Sequence, residues 1–225
     1  MAIFLFLLMG GAYEVKWVGE LHRVMMLGED AGIIGLDTLR GQPHLYAIGP
    51  VEGLNGEITI FDSEPVIGLV RDGKPVVEHS FDVRAPLLVW AQVEKWREVA
   101  IPSTVQSLAD LDKFVGDAAK QAGIDLTAPF PFRVTAHTHE IAMHIVNRQG
   151  REAKGHEGHE KIEVKIPLTH ADVELLGFWS DKHAGVFTHQ GANVHIHGRT
   201  ADNKLSGHLD EVKIGSGKLW LPAAK

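Results

Sequence analysis

The chain has no cysteine. That absence removes disulfides, thiol nucleophiles and every thiolate metal site, so any bound metal must be held by nitrogen and oxygen ligands. An excess of positive charge is missing too. The formal charge is -7, and acids and bases are interspersed, which leaves no electrostatic footprint for a phosphate backbone and excludes nucleic acid as an expected partner. Bilayer-length apolar runs are also lacking. The stretch Ala2 to Met9 is apolar but far too short to span a bilayer as a helix, so no membrane partner is expected. It is followed by Gly10, Gly11 and Ala12, small residues of the kind found at a signal cleavage site, yet no positively charged leader precedes it. Residues 1–12 therefore read as a signal-peptide remnant or as a buried N-terminal strand, with an exported or periplasmic location expected ahead of a cytoplasmic one.

What the chain has in abundance is histidine, 14 in 225 residues, most of them between His137 and His208. With 44% hydrophobic residues the chain is long enough to bury a sizeable core. A single domain over 13–225 is expected, or two tightly joined halves meeting near 129.

The periodicities predict an α+β fold of mixed β-sheets with few helices. Trp17, Leu21, Val24 and Met25 recur at helical spacing before Gly28, which predicts a short amphipathic helix there. From His44 to Val99 short apolar runs alternate with turn residues and read as strands. Asp72-Gly73 between two such runs is the strongest hairpin signal. Ser107 and Asp110 form a capping arrangement for a helix whose face is Leu108, Leu111, Phe114, Val115, Ala118, Ala119 and Ala122, stopping at Gly123. Further strands are expected at Val134 to Val146, Ile162 to Ile166, Leu175 to Trp179, Val194 to His197 and Leu205 to Ile214. The polar, aperiodic stretch Asn147 to Lys161 reads as an exposed, mobile loop, its His156 and His159 solvated.

Residues two apart on a strand point to one side, so His195 and His197 can face a single metal ion. His208 lies eleven residues after His197, beyond the turn-forming Ala201-Asp202-Asn203-Lys204, and a hairpin can return it beside the first two. Three neutral imidazoles suit zinc, with another divalent metal as the alternative, and they leave a coordination position open for water or substrate. Chance placement of the histidines gives roughly one His-x-His pair, and the chain has two. The pair alone is therefore weak evidence, and the triple counts only if its spacing is fixed in advance. The second pair, His137 and His139 with His144 beyond, fits a polar strand face better than a site. His183 and His189 flank the triad strand and are expected at the surface.

The spacing is fixed by a resemblance. Leu176-Gly177-Phe178-Trp179-Ser180-Asp181, then Gly191-Ala192-Asn193-Val194-His195-Ile196-His197, then Leu205-Ser206-Gly207-His208-Leu209-Asp210 resemble the C-terminal signature of the α-acetolactate decarboxylases. Gly53-Leu54-Asn55-Gly56-Glu57-Ile58 resembles that family's Gly-Leu-Asp-Gly-Glu step, and Pro131-Phe132-Arg133-Val134 resembles the segment carrying its active-site arginine. The likeness runs roughly from Glu20 to Pro222 and is strongest after Leu175. It implies a zinc lyase that takes a small-molecule keto acid, 2-acetolactate, to acetoin and carbon dioxide, and it leaves a homodimer open. It implies His195, His197 and His208 as metal ligands, Arg133 as the group near substrate carboxylate and proton, and Glu57 as the carboxylate at the reacting oxygens. Without it, Glu57 reads as a hairpin-turn carboxylate and Arg133 as a strand-end ion pair.

One departure bears on the reaction. The family has a second glutamate shortly after a Leu-Pro step, whereas Leu221-Pro222 is followed here by Ala223, Ala224 and Lys225. Either the chain is short, or a carboxylate such as Glu140 or the terminal carboxyl group substitutes, or the reaction differs. A zinc-dependent ester hydrolase of related fold and a non-catalytic metal-binding protein are the competing readings. A cupin needs a glutamate soon after its His-x-His, where this chain has Gly198-Arg199-Thr200-Ala201-Asp202.

Overall fold

A computed structural model describes residues 13–152 and 155–223; the apolar stretch Ala2 to Met9 and the terminal Ala224 and Lys225 lie outside the described residues. In chain order the elements are β1 (Lys16–Val18), β2 (Ile34–Gly35), β3 (Leu45–Pro50), β4 (Glu57–Phe61), β5 (Glu64–Arg71), β6 (Lys74–Glu78), β7 (Arg84–Ala85), β8 (Leu88–Gln92), β9 (Trp96–Ala100), α1 (Leu108–Gln121), β10 (Phe130–Val146), α2 (Gly155–Glu160), β11 (Glu163–Trp179), β12 (Val194–Thr200) and β13 (Ser206–Pro222).

They form two main sheets. The first runs β1-β8-β3-β4-β5-β6, every neighbour antiparallel. The second runs β10-β11-β12-β13-β9 and closes on itself through an added β10–β13 pairing. Its interior holds Phe130, Phe132, Leu175, Ile196 and Leu219, with α1 packed on the same cluster through Leu111, Val115 and Ala119. A separate cluster joins the two sheets, where Tyr46, Ile48 and Val89 of the first meet Leu176 and Phe178 of the second. At one point the sheets approach backbone to backbone: a Cβ on Gly68 would stand 2.2 Å from the carbonyl oxygen of Ser206.

Local chemistry explains most elements. Asp72 and Gly73 both take positive φ, 50° and 73°, between the paired Arg71 and Lys74. That is the two-residue turn whose twist matches antiparallel strands. Ser107 accepts a hydrogen bond from the Asp110 backbone N–H at 3.1 Å and caps α1 as its sequence predicts. The helix expected from Trp17 to Leu27 forms only in its second half. Trp17 pairs with Val89 at the edge of the first sheet, and the chain coils from Leu21 to Leu27, its last five residues as a π-type turn ended by left-handed Gly28. Gly19, at φ 74°, forces the break, since its α-carbon packs where a Cβ would meet the Pro86 carbonyl at 2.1 Å.

The strands β10, β11 and β13 are 17 residues each, longer than the runs that alternate in sequence. Their middles are polar on the outer face, as in Thr169-His170-Ala171-Asp172, so the alternation fades although the backbone pairing continues. Asn147 to Lys161 is not wholly an open loop: it contains α2, and His159 is buried.

Candidate metal centre

β12 is buried on both faces from Val194 to Gly198. Ile196 therefore joins the closed sheet's interior while His195 and His197, on the opposite side, enter the space between the sheets. The following turn is fixed by Asp202, whose Oδ1 accepts from the Thr200 hydroxyl at 2.7 Å and the Lys204 N–H at 3.1 Å, with Asn203 at φ 58°. The chain returns as β13 with His208 directly opposite His197, and β10 then sets His144 directly opposite His208. His189 reaches the same place from the segment between β11 and β12.

Five imidazoles thus cluster. Ring centres lie 5.1 Å apart for His195 and His197, 5.0 Å for His195 and His208, and 5.4 Å for His197 and His208. His189 stands 5.6 Å from His195 and 5.1 Å from His208. One nitrogen from each of His189, His195 and His208 lies within 4.8 Å of the others, a grouping able to hold a metal ion. The structure therefore brings His195, His197 and His208 together and adds His189, expected at the surface. His197 turns differently. Its Nδ1 meets the Thr59 hydroxyl at 3.3 Å, and its Nε2 faces Glu57 Oε2 at 3.6 Å.

Burial and the neighbouring imidazoles hold His195 well below its ordinary range, burial and the charge of His144 do the same for His208, and burial brings His197 down to about 3. All three are neutral at neutral pH, the form that ligates a metal. His195 Nδ1 and His197 Nε2 are buried without a hydrogen-bond partner. An all-imidazole donor set with orphaned nitrogens fits a zinc-like cation.

His144, His189, His195 and His208 border a cavity of about 370 Å³. Leu21, Val24, Met25, Leu54 and Val146 make an apolar wall, while Glu57, His144, Glu163, Lys165 and Asp210 supply polar groups. Glu57 is 3% exposed, and burial pushes its carboxyl up to about 8; the Val146 N–H donates to its Oε1 at 3.3 Å. His144 moves the other way from the triad. Burial pulls it down, but the Asp210 hydrogen bond at 2.6 Å and the neighbouring acidic groups outweigh that and raise it. His159 and Glu160 of α2 also line the cavity, which corrects the solvated reading of this segment.

Arg133 is not brought to this cavity. It sits eleven residues up β10 from His144, with its guanidinium 5.5 Å from the Tyr46 ring and 5.6 Å from the Trp96 ring, and 3.7 Å from Glu174. The β10 register decides this: Arg133 pairs with Leu176 and Trp220, whereas His144 pairs with His208. Glu140 is exposed and lines a different hollow, so it does not stand in for the second acid; Glu163 and Asp210 are the carboxylates beside His144.

The model of the family described as alpha-acetolactate decarboxylase matches residues 39–224. The chain belongs to that family. No curated protein matches it. Among solved structures, alpha-acetolactate decarboxylase from Bacillus subtilis strain 168 is 14% identical, with 93% of this chain and 85% of that one covered at a TM-score of 0.72. A Staphylococcus aureus protein of unknown function, described as similar to alpha-acetolactate decarboxylase, is 13% identical over 92% and 84% of the two chains, also at 0.72. At such identities the likeness shows the fold, which is the mixed, strand-rich architecture of this decarboxylase family.

Proposed function

We propose that this family member is a metal-dependent decarboxylase that converts 2-acetolactate, or a related branched β-keto acid, to acetoin and carbon dioxide. The observation that carries the reading is the set of orphaned, neutral imidazole nitrogens beside a carboxyl that holds its proton at neutral pH. His195 and His208, with His197 or His189 as third ligand, would hold zinc. Zinc bound there would supply Lewis-acid polarisation of a keto oxygen.

The chain's own groups account for the remaining needs. Decarboxylation breaks the bond from the carboxylate to C2, and its electron pair passes into the adjacent carbonyl to leave an enediolate. His144, hydrogen-bonded to Asp210 and raised above its ordinary range, is the imidazole placed to hold the substrate carboxylate before it leaves. Glu57, protonated by virtue of its burial, delivers the proton that C2 requires. The apolar wall keeps water from competing for the carbanion.

One observation favours a second reading, zinc-dependent ester hydrolysis. Among the described residues lining the cavity, Glu57, Glu160, Glu163, Asp210 and Glu211 face only one lysine or arginine, Lys165, a balance better suited to an uncharged substrate. Acetoin release from racemic 2-acetolactate, set beside hydrolysis of a p-nitrophenyl ester, separates the two. Elemental analysis of wild type beside His195→Ala tests their shared premise: a variant holding one equivalent of zinc fewer than wild type supports it, and an unchanged zinc content overturns it.

A further inference from the structure

We infer that the protein carries a second metal site, on the exposed face of its long strands, where His137, His139 and His170 take a divalent cation of the zinc, nickel or copper kind. At one level β10 and β13 break register, beside a missing pair in the β10–β11 ladder. The β10–β11 ladder runs through His137 with Asp172 and Thr138 with Ala171, then resumes at Glu140 with Thr169, leaving His139 and His170 unpaired opposite each other. On the other flank His137 pairs with Ser216 and Thr138 with Ile214, so Gly215 is skipped. His170 also adopts a left-handed backbone, φ 51°, uncommon for a residue with a side chain. Such bulges and strained residues concentrate where a side chain is being aimed.

What they aim is a trio of imidazoles. The His170 ring lies 6.1 Å from that of His137 and 6.0 Å from that of His139. A zinc–nitrogen bond of about 2.1 Å and a tetrahedral angle put the centres of two ligating rings about 5 Å apart. Closing the remaining gap of about 1 Å needs only small rotations of exposed side chains. Thr138 between the pair is fully buried, so His137 and His139 both project outward.

Two neighbours complete the arrangement. Asp172 Oδ1 accepts from His137 Nδ1 at 2.8 Å, which fixes the tautomer and leaves Nε2 as the ligating atom, the role a carboxylate plays behind metal-bound histidine. A Cβ on Gly215 would stand 3.0 Å from the His139 ring, so the glycine keeps room for it. The donors are all imidazole, which selects zinc, nickel or copper over magnesium or calcium, with a fourth position left to water. Seven strand residues, roughly 23 Å, separate His137 from His144, so the site is independent of the buried centre.

The test is titration of the full-length, metal-stripped protein with Zn2+, read by calorimetry and by elemental analysis after buffer exchange. Wild type is expected to take two equivalents, and the double variant His139→Gln/His170→Asn one. Asparagine tolerates the left-handed backbone, so the fold is kept, and an unchanged thermal transition in chelator checks it. The separate variant His195→Ala/His208→Ala is expected to keep the exposed equivalent. Equal zinc uptake by wild type and His139→Gln/His170→Asn, or an outer affinity no tighter than millimolar, would overturn the assignment.

Discussion

His144 and His208 stand directly opposite one another on β10 and β13, ring centres 4.8 Å apart, and are held toward opposite protonation states. Burial and the charge of His144 hold His208 well below its ordinary range, while Asp210, two residues beyond His208 on the same strand face, raises His144 against its own burial. One strand thus carries both a metal-type ligand and the carboxylate that raises its neighbour. His144→Ala is expected to lower kcat/KM for decarboxylation by about 100-fold or more, because the preorganised imidazole donor facing the substrate is lost. Zinc content should stay at the wild-type level. Asp210→Asn, which leaves the ring in place but removes its counter-charge, is expected to give a smaller loss. Loss of zinc in His144→Ala would instead make the residue a ligand.

Glu57 makes the metal-free protein sensitive to pH in an unusual direction. Its carboxyl titrates at about 8 in the folded chain against an ordinary 4.5, so between those values the folded state keeps a proton that the unfolded state has released. Stability attributable to this group is therefore full below 4.5 and falls as pH rises through about 8. His144, also raised, acts in the same direction. The difference in unfolding free energy between wild type and Glu57→Gln isolates the Glu57 part. Urea unfolding in chelator should show Glu57→Gln gaining relative to wild type as pH rises across that window; a constant difference would mean the carboxyl is ionised throughout.

The β12–β13 arm of the site was readable because its chemistry is local: two histidines at strand spacing, a polar turn, and a third histidine one hairpin later. The capped helix α1 and the Asp72-Gly73 turn were readable for the same reason. His144, His189, Glu163 and Asp210 were not assigned, since what places them is the closure of β10 onto β13 and the path between β11 and β12, relationships spanning tens of residues. Asp210 left one faint signal, its position two residues after His208 on the same strand face. Arg133 was expected among the reacting groups, and the structure sets it against Tyr46, Trp96 and Glu174, outside the cavity lining. A resemblance can assign an arginine to a strand, but only the β10 register says which end of that strand meets the histidines.

Arg133 is expected to contribute stability and not chemistry. Its guanidinium lies against both the Tyr46 and Trp96 rings and beside Glu174, which also holds Arg199 at 2.5 Å. Arg133→Met keeps much of the stem but removes the charge stacked on both rings, a loss of about 1–2 kcal/mol. Urea unfolding should register that loss while kcat/KM stays within about twofold of wild type at a temperature where both are folded. A 100-fold fall in kcat with unchanged stability would return Arg133 to the reacting groups.

Gly68 ties the two sheets together beside the metal centre. It pairs with Glu57 across β4 and β5, and its missing Cβ lets the Ser206 carbonyl approach, two residues before His208. A methyl group there would meet backbone at 2.2 Å, with no flexible side chain to yield. The sheets must part at the point where one delivers Glu57 and the other His208. Gly68→Ala is accordingly expected to destabilise the metal-free protein by about 1–3 kcal/mol through overpacking. Zinc binding should weaken as well, since His208 is displaced relative to His195. Unfolding measured with and without zinc distinguishes these effects: a variant that loses stability but keeps the full zinc-dependent gain would show that the sheets part without disturbing the histidines.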